Sequence, residues 1–313
     1  MLPYLAIIIA MLIWAGEAGA PYLMAIRPGI AVKEALLIFT PLTLIVFRFT
    51  LAVLLMLLVG LVFRKSEIVG LQRVDKRDIP LFMLGGLFQP FLYFIFETYT
   101  YQSFASPTIA EALLSTQPVL APIFAFVLLR EHITRNNIIG ILLSTIGMLM
   151  LLLIGSDDFA LGSRWGILLA IITVSMSVSY SIVLRRIPTH YSPLTIVFYV
   201  QLFSLCLFYP LWGFTEGDQL LHHATPWLQH TTPWLAVLYL AIFASVVAFI
   251  LFCYTVRKIG VTRANVFNNV RPIFTALLMW MLFDEILPFW KVVGIIIIIV
   301  GLFICQKTQK IEQ

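Results

Sequence analysis

The sequence predicts an all-α integral membrane protein of ten transmembrane helices, arranged as two inverted repeats of five helices each. Three observations lead to this fold class. Hydrophobic residues make up 61% of the chain and charged residues only 11%, whereas soluble domains carry about 25% charged residues. Long apolar stretches recur along the chain, and a segment of the first half recurs in the second. A soluble repeat protein would instead show at least three shorter units.

The internal repeat joins residues 108–147 to residues 262–301, which align without a gap at a constant offset of 154 positions. Each segment contains a proline within its predicted helix and a glutamate at the end of that helix. Related halves with interrupted helices at corresponding positions are typical of secondary transporters, whose substrate site lies near the middle of the membrane. The matched pairs are Thr108 and Thr262, Ala110 and Ala264, Pro118 and Pro272, Glu131 and Glu285, Gly140 and Gly294, and Gly147 and Gly301.

Ten apolar stretches are long enough to cross about 30 Å of hydrocarbon, and five of them fall in each half. An odd number of spans in each half places the second half upside down relative to the first, which is the arrangement of an inverted repeat. We number these stretches as spans one to ten. They cover residues 3–26, 36–63, 79–100, 105–129, 136–154, 164–184, 193–214, 233–256, 262–283 and 289–305.

The distribution of lysine and arginine predicts that both termini lie in the cytoplasm, because cytoplasmic loops carry the excess of positive charge. With that orientation, fourteen of the twenty basic residues lie inside, four outside and two within spans. The net charge of +5 reflects this asymmetry, and no basic stripe indicates a nucleic acid partner. The four outer residues are Arg27, Lys33, Arg164 and Lys291, and the two within spans are Arg48 and Arg271.

The chain shows no motif of a catalytic or metal-binding site, so we expect no enzyme activity, no cofactor and no bound metal. Its cysteines Cys206, Cys253 and Cys305 lie in apolar runs without a CxxC pair, which predicts neither a disulfide nor a metal cluster. The sequence also lacks HExxH, GxSxG and phosphate-binding loop motifs. The loops are mostly too short to form a catalytic domain.

Five charged residues fall inside predicted spans, where a charge is costly and usually faces a cavity or a partner. Counting along each helix places Glu17, Arg48 and Arg271 near the middle of the membrane, and Glu97 and Glu111 toward its outer face. Glu17 and Arg271 could bind the ammonium and carboxylate groups of a substrate, or could pair with each other. A structural role is as plausible as a functional one for Arg48, Glu97 and Glu111.

Spans four and nine each carry polar residues and prolines on one helical face, because these residues recur at steps of three and four. Such a stripe bonds to neighbouring helices or lines a water-filled cavity, and two stripes in corresponding positions favour the cavity. Pro118 and Pro272 each free a backbone carbonyl one turn earlier, which supplies an acceptor or a bend for gating. The stripes are Thr108, Glu111, Ser115, Pro118 and Pro122 in span four, and Asn265, Asn268, Asn269 and Pro272 in span nine.

The candidate site combines these charges with polar and aromatic side chains. Trp14 and Tyr93 are as compatible with packing as with lining a cavity. The candidates for substrate binding are Glu17, Arg271, Trp14, Tyr93, Asn268 and Gln117, and those for cavity lining or gating are Glu111, Ser115, Pro118, Asn265, Asn269, Pro272 and Arg48.

Other repeated residues have a structural interpretation. Glu131 and Glu285 end spans four and nine, and we expect each to bond to the start of the following helix. Two pairs of glycines lie seven residues apart, so that each pair occupies one helical face and predicts close packing between membrane helices. These pairs are Gly140 with Gly147 and Gly294 with Gly301.

Several segments carry a family resemblance. They are Ile13–Gly16, Phe47–Phe49, the stretch from Gly85 to Pro107, and Pro118 followed by Leu128–Glu131, with their second-half partners up to Gly301. Over essentially the whole chain, this ordered set resembles EamA-type members of the drug/metabolite transporter superfamily. The resemblance implies two EamA-like units, residues 3–154 with spans one to five and residues 164–305 with spans six to ten. It also implies a central cavity lined by spans one, three, four, six, eight and nine.

Glu17 departs from this pattern. EamA-type proteins more usually carry a small or amide residue after the Trp-Gly region of span one, where this chain has a glutamate. A first-span glutamate is similar to the proton- and cation-binding residue of the related small multidrug resistance proteins. This similarity implies proton coupling, or recognition of a cationic group, by Glu17.

The residues therefore predict a secondary transporter of a small zwitterionic or charged metabolite that works by alternating access, and the resemblance implies an exporter or exchanger of small metabolites such as amino acids. We expect its partners to be that substrate, the lipid bilayer and a proton. We expect its location to be a bacterial inner membrane, as a monomer or homodimer. Two alternatives stay open. A lipid-linked sugar flippase would have a cavity open sideways to lipid, and a membrane sensor or interaction protein would not need two polar stripes.

Overall fold

The computed structural model describes residues 2–23, 40–63, 70–103, 113–131, 133–153, 164–229, 231–271, 273–274, 277 and 288–306. Of residues 16–23, 217–229 and a few others in helices, only the backbone is described. The regular elements in these ranges are all helical, which confirms the all-α fold. Six of the described helices are long and apolar enough to cross a membrane. The number of ten spans stays a prediction.

The helices follow the order of the predicted spans. They are α1 (Leu2–Leu23), α2 (Pro41–Val62), α3 (Ile79–Gly86), α4 (Tyr93–Gln102), α5 (Gln117–Leu129), α6 (Arg135–Leu153), α7 (Arg164–Arg186), α8 (Pro193–Gln229), α9 (Thr231–Tyr239), α10 (Ala248–Ile259), α11 (Val261–Val266) and α12 (Phe289–Gln306). A π-helical segment, Leu87–Leu92, joins α3 to α4, and another, Leu240–Val247, joins α9 to α10. A 3-10 segment, Phe267–Val270, follows α11.

Two predicted boundaries are wrong. The sequence predicts a loop after residue 214, whereas α8 continues to Gln229. Apolar residues at positions 220, 224 and 227 recur at helical spacing in this stretch and account for its helical form. Span four is also not one continuous helix, because a turn at residues 115–116 precedes α5. Pro118 has no N–H to bond the carbonyl of residue 114, which explains the break.

The repeated glycines pack α6 against α12. A Cβ atom added at Gly140 would lie 2.5 Å from the carbonyl oxygen of Gly301. A Cβ atom at Gly147 would lie 2.7 Å from the carbonyl oxygen of Gly294. Both distances are too short for a side chain, so the predicted close approach of these helices is confirmed.

The remaining packing brings the two repeated segments together. Helix α1 packs against α10, α4 against α7, and α2 against α8. Helix α5 contacts both α7 and α11, and α11 contacts α7. The segments that precede Pro118 in the first half and Pro272 in the second therefore lie beside each other. Pro272 itself lies outside the described residues.

Candidate functional site

A narrow polar pocket lies where α4, the turn before α5 and the 3-10 segment meet. Its volume is about 10 Å³, which is the space needed for about one water molecule. Most of its lining residues are polar, and two of them are charged. The lining residues are Tyr93, Glu97, Leu114, Ser115, Gln117, Asn268 and Arg271.

Irregular backbone positions these side chains. In the first half the turn at residues 115–116 precedes α5, and in the second half the 3-10 segment Phe267–Val270 precedes Arg271. The two interruptions occupy matching positions at the offset of 154, directly before the repeated prolines. A proline removes one helical hydrogen bond, so both halves have the same local reason to leave the α-helical form. Leu114 matches Asn268 and Gln117 matches Arg271, and all four line the pocket.

Gln117 joins three helices through its amide nitrogen. Its Nε2 donates to Ser177 Oγ on α7 at 2.7 Å and to Asn265 Oδ1 on α11 at 2.7 Å. Ser177 Oγ in turn donates to Gln89 Oε1 at 3.1 Å. Gln89 has extended backbone angles within the first π-helical segment, φ −149° and ψ 122°. These bonds fix the amide of Gln117 at the edge of the pocket.

The three asparagines of span nine have separate roles. Asn265 is fully buried and its Nδ2 donates to the carbonyl oxygen of Val261 at 2.9 Å. Asn268 lines the pocket, and its Nδ2 donates to the carbonyl oxygen of Asn265 at 3.1 Å. Asn269 points instead to α6, where its Nδ2 donates to Ser144 Oγ at 3.0 Å. Asn268 is thus the asparagine that faces the pocket, while Asn265 supports Gln117 and Asn269 contacts a neighbouring helix.

The two charges of the pocket have opposite sign. Glu97 lies on α4, and the Tyr93 hydroxyl donates to its Oε1 at 2.8 Å, one helical turn away. Arg271 follows the 3-10 segment and is half-buried. The pocket therefore holds one carboxylate and one guanidinium among neutral hydrogen-bonding groups. Such a set can bind a molecule that carries both a cationic and an anionic group.

Several predicted site residues lie outside the described parts. The backbone of Glu17 is helical, but its side chain is not described. Glu111 and Pro272 lie outside the described residues altogether. Pro118, in contrast, is described and lies buried in the first turn of α5. The roles assigned to these four residues stay predictions.

Trp14 and Arg48 lie away from the lining of the pocket. The Trp14 indole N–H donates to the carbonyl oxygen of Ala244 at 3.1 Å, and its ring packs on Phe249. Arg48 is buried; its Nε donates to Ser245 Oγ at 2.6 Å, and its guanidinium carbon lies 5.2 Å from the ring centre of Phe94. Both residues contact the second π-helical segment, so in this conformation they hold α1 and α2 against it.

The sequence did not predict three residues in or beside the pocket as site residues. Glu97 lines the pocket and was predicted only as a charge within a span. Gln89 and Ser177 lie behind Gln117 in its hydrogen-bond network and were not predicted. A glutamine directly before Pro90, inside an apolar span, is the signal that could have identified Gln89. Ser177 belongs to a series of hydroxyl residues along α7, which could have marked that face as polar.

Glu131 bonds to a helix start, but not to the one expected. Its carboxylate accepts from the backbone N–H of Val261 at 3.1 Å and of Thr262 at 3.4 Å, and from Thr262 Oγ1 at 3.1 Å. These groups begin α11 in the second half, not the helix that follows in the first. The prediction of the following helix is therefore wrong. A carboxylate at this place satisfies free N–H groups of the first turn, and it joins the two halves.

One cluster outside the pocket has the residue types of a metal site. The ligand atoms of Asp75, Asp78 and His190 all lie within 4.8 Å of one another. Asp78 already accepts a hydrogen bond from the Tyr191 hydroxyl at 2.8 Å. Burial of that hydroxyl raises the pKa of Tyr191. Exposed acidic groups often stand together without a metal, and the absence of a metal stays a prediction.

A second, larger cavity is a groove on the side of the bundle. It runs between α1 and α10, with residues 189–193 at one end, and its volume is about 790 Å³. Its residues and those of the polar pocket do not overlap. The groove is therefore a separate feature of the described part of the chain.

Comparison with known proteins shows similarity to membrane transporters. The chain matches the EamA-like transporter family over residues 1–153 and 164–305. The uncharacterized transporter YetK of Bacillus subtilis (strain 168) is 28% identical over 267 residues, which cover 84% of this chain and 77% of YetK. The uncharacterized transporter YyaM of the same organism is 24% identical over 280 residues, which cover 88% of this chain and 87% of YyaM.

Two further similarities are more limited. A riboflavin transporter of Vibrio cholerae serotype O1 is 33% identical over 111 residues, which cover 34% of this chain and 36% of that protein. A solved crystal structure matches with a TM-score of 0.72 at 20% identity, over 97% of this chain and 96% of that chain. The similarity to the solved structure shows that the two proteins share a fold.

Proposed function

The chain belongs to the EamA-like transporter family, and from this membership we propose that it is a secondary transporter of a small zwitterionic metabolite, such as an amino acid. Family membership itself makes the protein an integral membrane transporter of the drug/metabolite superfamily. The proposal adds the substrate class, export or exchange as the direction, and alternating access as the mechanism.

The observation that carries the proposal is the pair of opposite charges in one small polar pocket. Arg271 presents donors in a planar fork that suits a carboxylate, while Glu97 is an acceptor for an ammonium group. Gln117, Asn268 and Ser115 add neutral donors and acceptors around them. Charges within the membrane are costly and mark substrate pathways by default. A substrate with both charges would be complementary to this lining.

The small volume of the pocket supports alternating access. A space for about one water molecule cannot hold an amino acid, so the surrounding helices must separate before substrate binds. The turn before α5 and the 3-10 segment before Arg271 are places where helical hydrogen bonding is already interrupted. We propose that bending at these two places, next to Pro118 and Pro272, opens the pocket to one side of the membrane at a time.

The proposed motion relates two inverted repeats, residues 3–154 and 164–305. Matching backbone irregularities support this division beyond the sequence alignment. The π-helical segments begin at Leu87 and Leu240, within one residue of the offset of 154. We propose that both termini face the cytoplasm of a bacterial cell, on the basis of the positive charge of the inner loops. The oligomeric state that we propose is a monomer or a homodimer.

Glu17 is proposed as the site of proton coupling. Its helix places it in the first span, and a carboxylate in the membrane can exchange protons with a pathway from either side. Binding of the proton at Glu17 would then be a separate step from binding of the substrate ammonium at Glu97. Transport by the wild-type protein should depend on pH, and Glu17→Gln should remove most of that dependence while leaving downhill exchange.

The alternatives fit the pocket less well. A flippase for lipid-linked sugars would need a polar cavity that opens sideways, whereas the lateral groove shares no residue with the polar pocket. A sensor would have no need for opposite charges in a closed pocket. Riboflavin, the substrate named for the Vibrio cholerae relative, carries no net charge and offers neither an ammonium group for Glu97 nor a carboxylate for Arg271.

The test is a binding and transport measurement with matched ligands. Purified protein is screened by thermal shift against amino acids, their N-acetyl forms, their amides and riboflavin, and hits are measured by counterflow in liposomes. An amino acid should stabilise the protein and be transported, while the N-acetyl form and the amide should each lose most of this effect. Equal stabilisation by all three forms would contradict recognition of a zwitterion, and transport of riboflavin alone would replace the proposed substrate.

A further inference from the structure

The groove between α1 and α10 has one apolar wall that faces outward from the bundle. Leu2, Leu5 and Ile9 line it from α1, at helical spacing, and Leu251 lines it from α10. The fractional exposures of the three α1 residues are 68%, 57% and 38%. Side chains this exposed in a membrane helix contact lipid, since no water is present in the hydrocarbon region.

The end of the groove beside the start of α1 is polar and positively charged. Arg257 and Lys258 line it there, and the Pro3 carbonyl oxygen of α1 accepts from Thr255 Oγ1 of α10 at 3.1 Å at this level. The Arg257 guanidinium is fixed in place, because its Nη1 donates to the carbonyl oxygen of Tyr191 at 2.7 Å and its Nη2 to that of Pro188 at 2.8 Å. These carbonyls hold the side chain but do not neutralise its charge.

The charges around this end are mainly positive. Arg185 donates to the carbonyl oxygen of Arg257, which adds a further cation beside the groove. Asp75 and Asp78 do not line the groove, but their carboxylates lie within 4.8 Å of the His190 ring. The His190 side of the rim is therefore not suited to an anion, and an anion would be held by Arg257 and Lys258.

The apolar wall and the basic end follow each other along α10. Leu251 and Lys258 are seven residues apart, which is about 10 Å along a helix. A ligand of the groove must therefore be apolar at one end and anionic at the other. A phospholipid has this order of groups, with the acyl chain in the hydrocarbon and the phosphate at the interface.

We infer that the groove between α1 and α10 is a binding site for one anionic phospholipid. Its acyl chain lies along Leu5, Ile9 and Leu251, and its headgroup phosphate lies beside Arg257 and Lys258. Basic residues at a membrane surface attract anionic lipids by about 1 kcal/mol each, or about fivefold in affinity. The site is distinct from the substrate pocket and does not depend on the proposed substrate.

The experiment counts lipids retained by the purified protein in native mass spectrometry, with phosphatidylglycerol and phosphatidylcholine of the same acyl chains. Wild-type protein should retain phosphatidylglycerol preferentially. Lys258→Gln should lower this retention about fivefold, while Lys76→Gln, which removes an exposed lysine outside the groove, should not. Equal retention of the two lipids by the wild type, or an equal loss in both variants, would overturn the site.

A second pair of variants tests the apolar wall. Ile9→Trp fills the groove, whereas Ile8→Trp places the same ring at a neighbouring residue of similar exposure that does not line it. Retention of phosphatidylglycerol should fall only in Ile9→Trp. Glycerol 3-phosphate, which has the phosphate but no acyl chain, should not compete at millimolar concentration. Competition by this compound would show a free phosphate site and contradict the lipid assignment, as would equal retention in the two tryptophan variants.

Discussion

The segments before the two repeated prolines, residues 113–117 and 267–271, have similar backbones and different side chains. Both leave the α-helical form directly before the proline, one in a turn and the other in a 3-10 segment. At matching positions the first half supplies Leu114 and Gln117, and the second supplies Asn268 and Arg271. The two halves thus share the interruption of the helix before the proline, but not the side chains that line the pocket.

This difference separates two requirements of a carrier. Opening to either side of the membrane is a symmetric task, which two inverted halves can perform with the same backbone device. Binding a substrate with different groups at its two ends is an asymmetric task. In the proposed function, the Gln117 and Arg271 pair would meet it, because one half supplies a neutral amide and the other a charge. Substitutions at matched positions can therefore test each requirement separately.

The largest effect is expected for Arg271→Gln, which gives both halves the same residue. Loss of a charged hydrogen bond should cost about 1.5–3 kcal/mol, or about 10- to 150-fold in substrate affinity. Binding by thermal shift and transport by counterflow would measure it. Arg164→Gln, which removes an exposed arginine at the start of α7, is the control and should behave as the wild type.

The double variant Gln117→Arg with Arg271→Gln moves the charge to the other half. It should stay inactive, because the Gln117 amide that donates to Ser177 and Asn265 is then lost. Recovery of transport would show that the matched positions are interchangeable. That result would show that the charge is not required on a particular half.

The repeated glycines should give equal effects in the two halves. Gly147→Ala and Gly301→Ala each place a Cβ atom within 2.7 Å of a facing backbone atom, and such overpacking typically costs about 1–3 kcal/mol. Gly213→Ala, with no atom within 4 Å of its added Cβ, is the control. Thermal unfolding in detergent is the measurement. A large loss for one glycine and none for its partner would show that the packing is not shared by the halves.

The helix-end glutamates test whether the contact between halves is repeated. Glu131→Ala should lower the stability by about 1 kcal/mol, the usual cost of losing a cap, because Val261 and Thr262 lose their acceptor. If the arrangement repeats at the offset of 154, Glu285 accepts from Thr108, but Pro107, which matches Val261, has no N–H to donate, so Glu285→Ala should cost less than Glu131→Ala. Unfolding temperatures of the two variants decide this, and Glu131→Gln should lie between Glu131→Ala and the wild type.

The smallest effect is expected at the prolines. Pro118→Ala restores a helical N–H and should make the turn at residues 115–116 less favourable, which slows transport a few-fold without weakening substrate binding. Pro272→Ala should do the same in the second half. Counterflow rates and thermal-shift affinities separate the two quantities. If transport is unchanged in both variants, the prolines are ordinary features of helix shape and gating resides elsewhere.

The sequence predicted which residues could meet at the pocket better than it predicted the geometry that brings them together. Asn268 and Arg271 could be identified because amide and charged groups are rare in apolar spans, and Ser115 because it shares a helical face with Pro118. The prediction that the stripe in span four lies on one continuous helix was wrong, because it assumed an unbroken period of 3.6 residues before Pro118. The missing N–H of Pro118 interrupts that period one turn before the proline.

Other parts of the arrangement depend on contacts between distant segments. Gln89 and Ser177 are 88 residues apart, and no local pattern joins them. Glu131 was predicted to bond to a helix start, but the choice between the next helix and α11 depends on how the halves pack. Trp14 illustrates the same limit, since an aromatic residue in a span can line a cavity or, as in this conformation, pack on Phe249.

The nearly filled pocket also has an electrical consequence. Moving one elementary charge across a membrane potential of 100 mV releases about 2.3 kcal/mol, so an energised membrane loses stored energy through any continuous file of water. The polar pocket formed by the described residues has room for about one water molecule beside Glu97 and Arg271, so it holds no such file. If transport runs by alternating access as proposed, charge would cross at the pocket only together with the movement that admits a substrate.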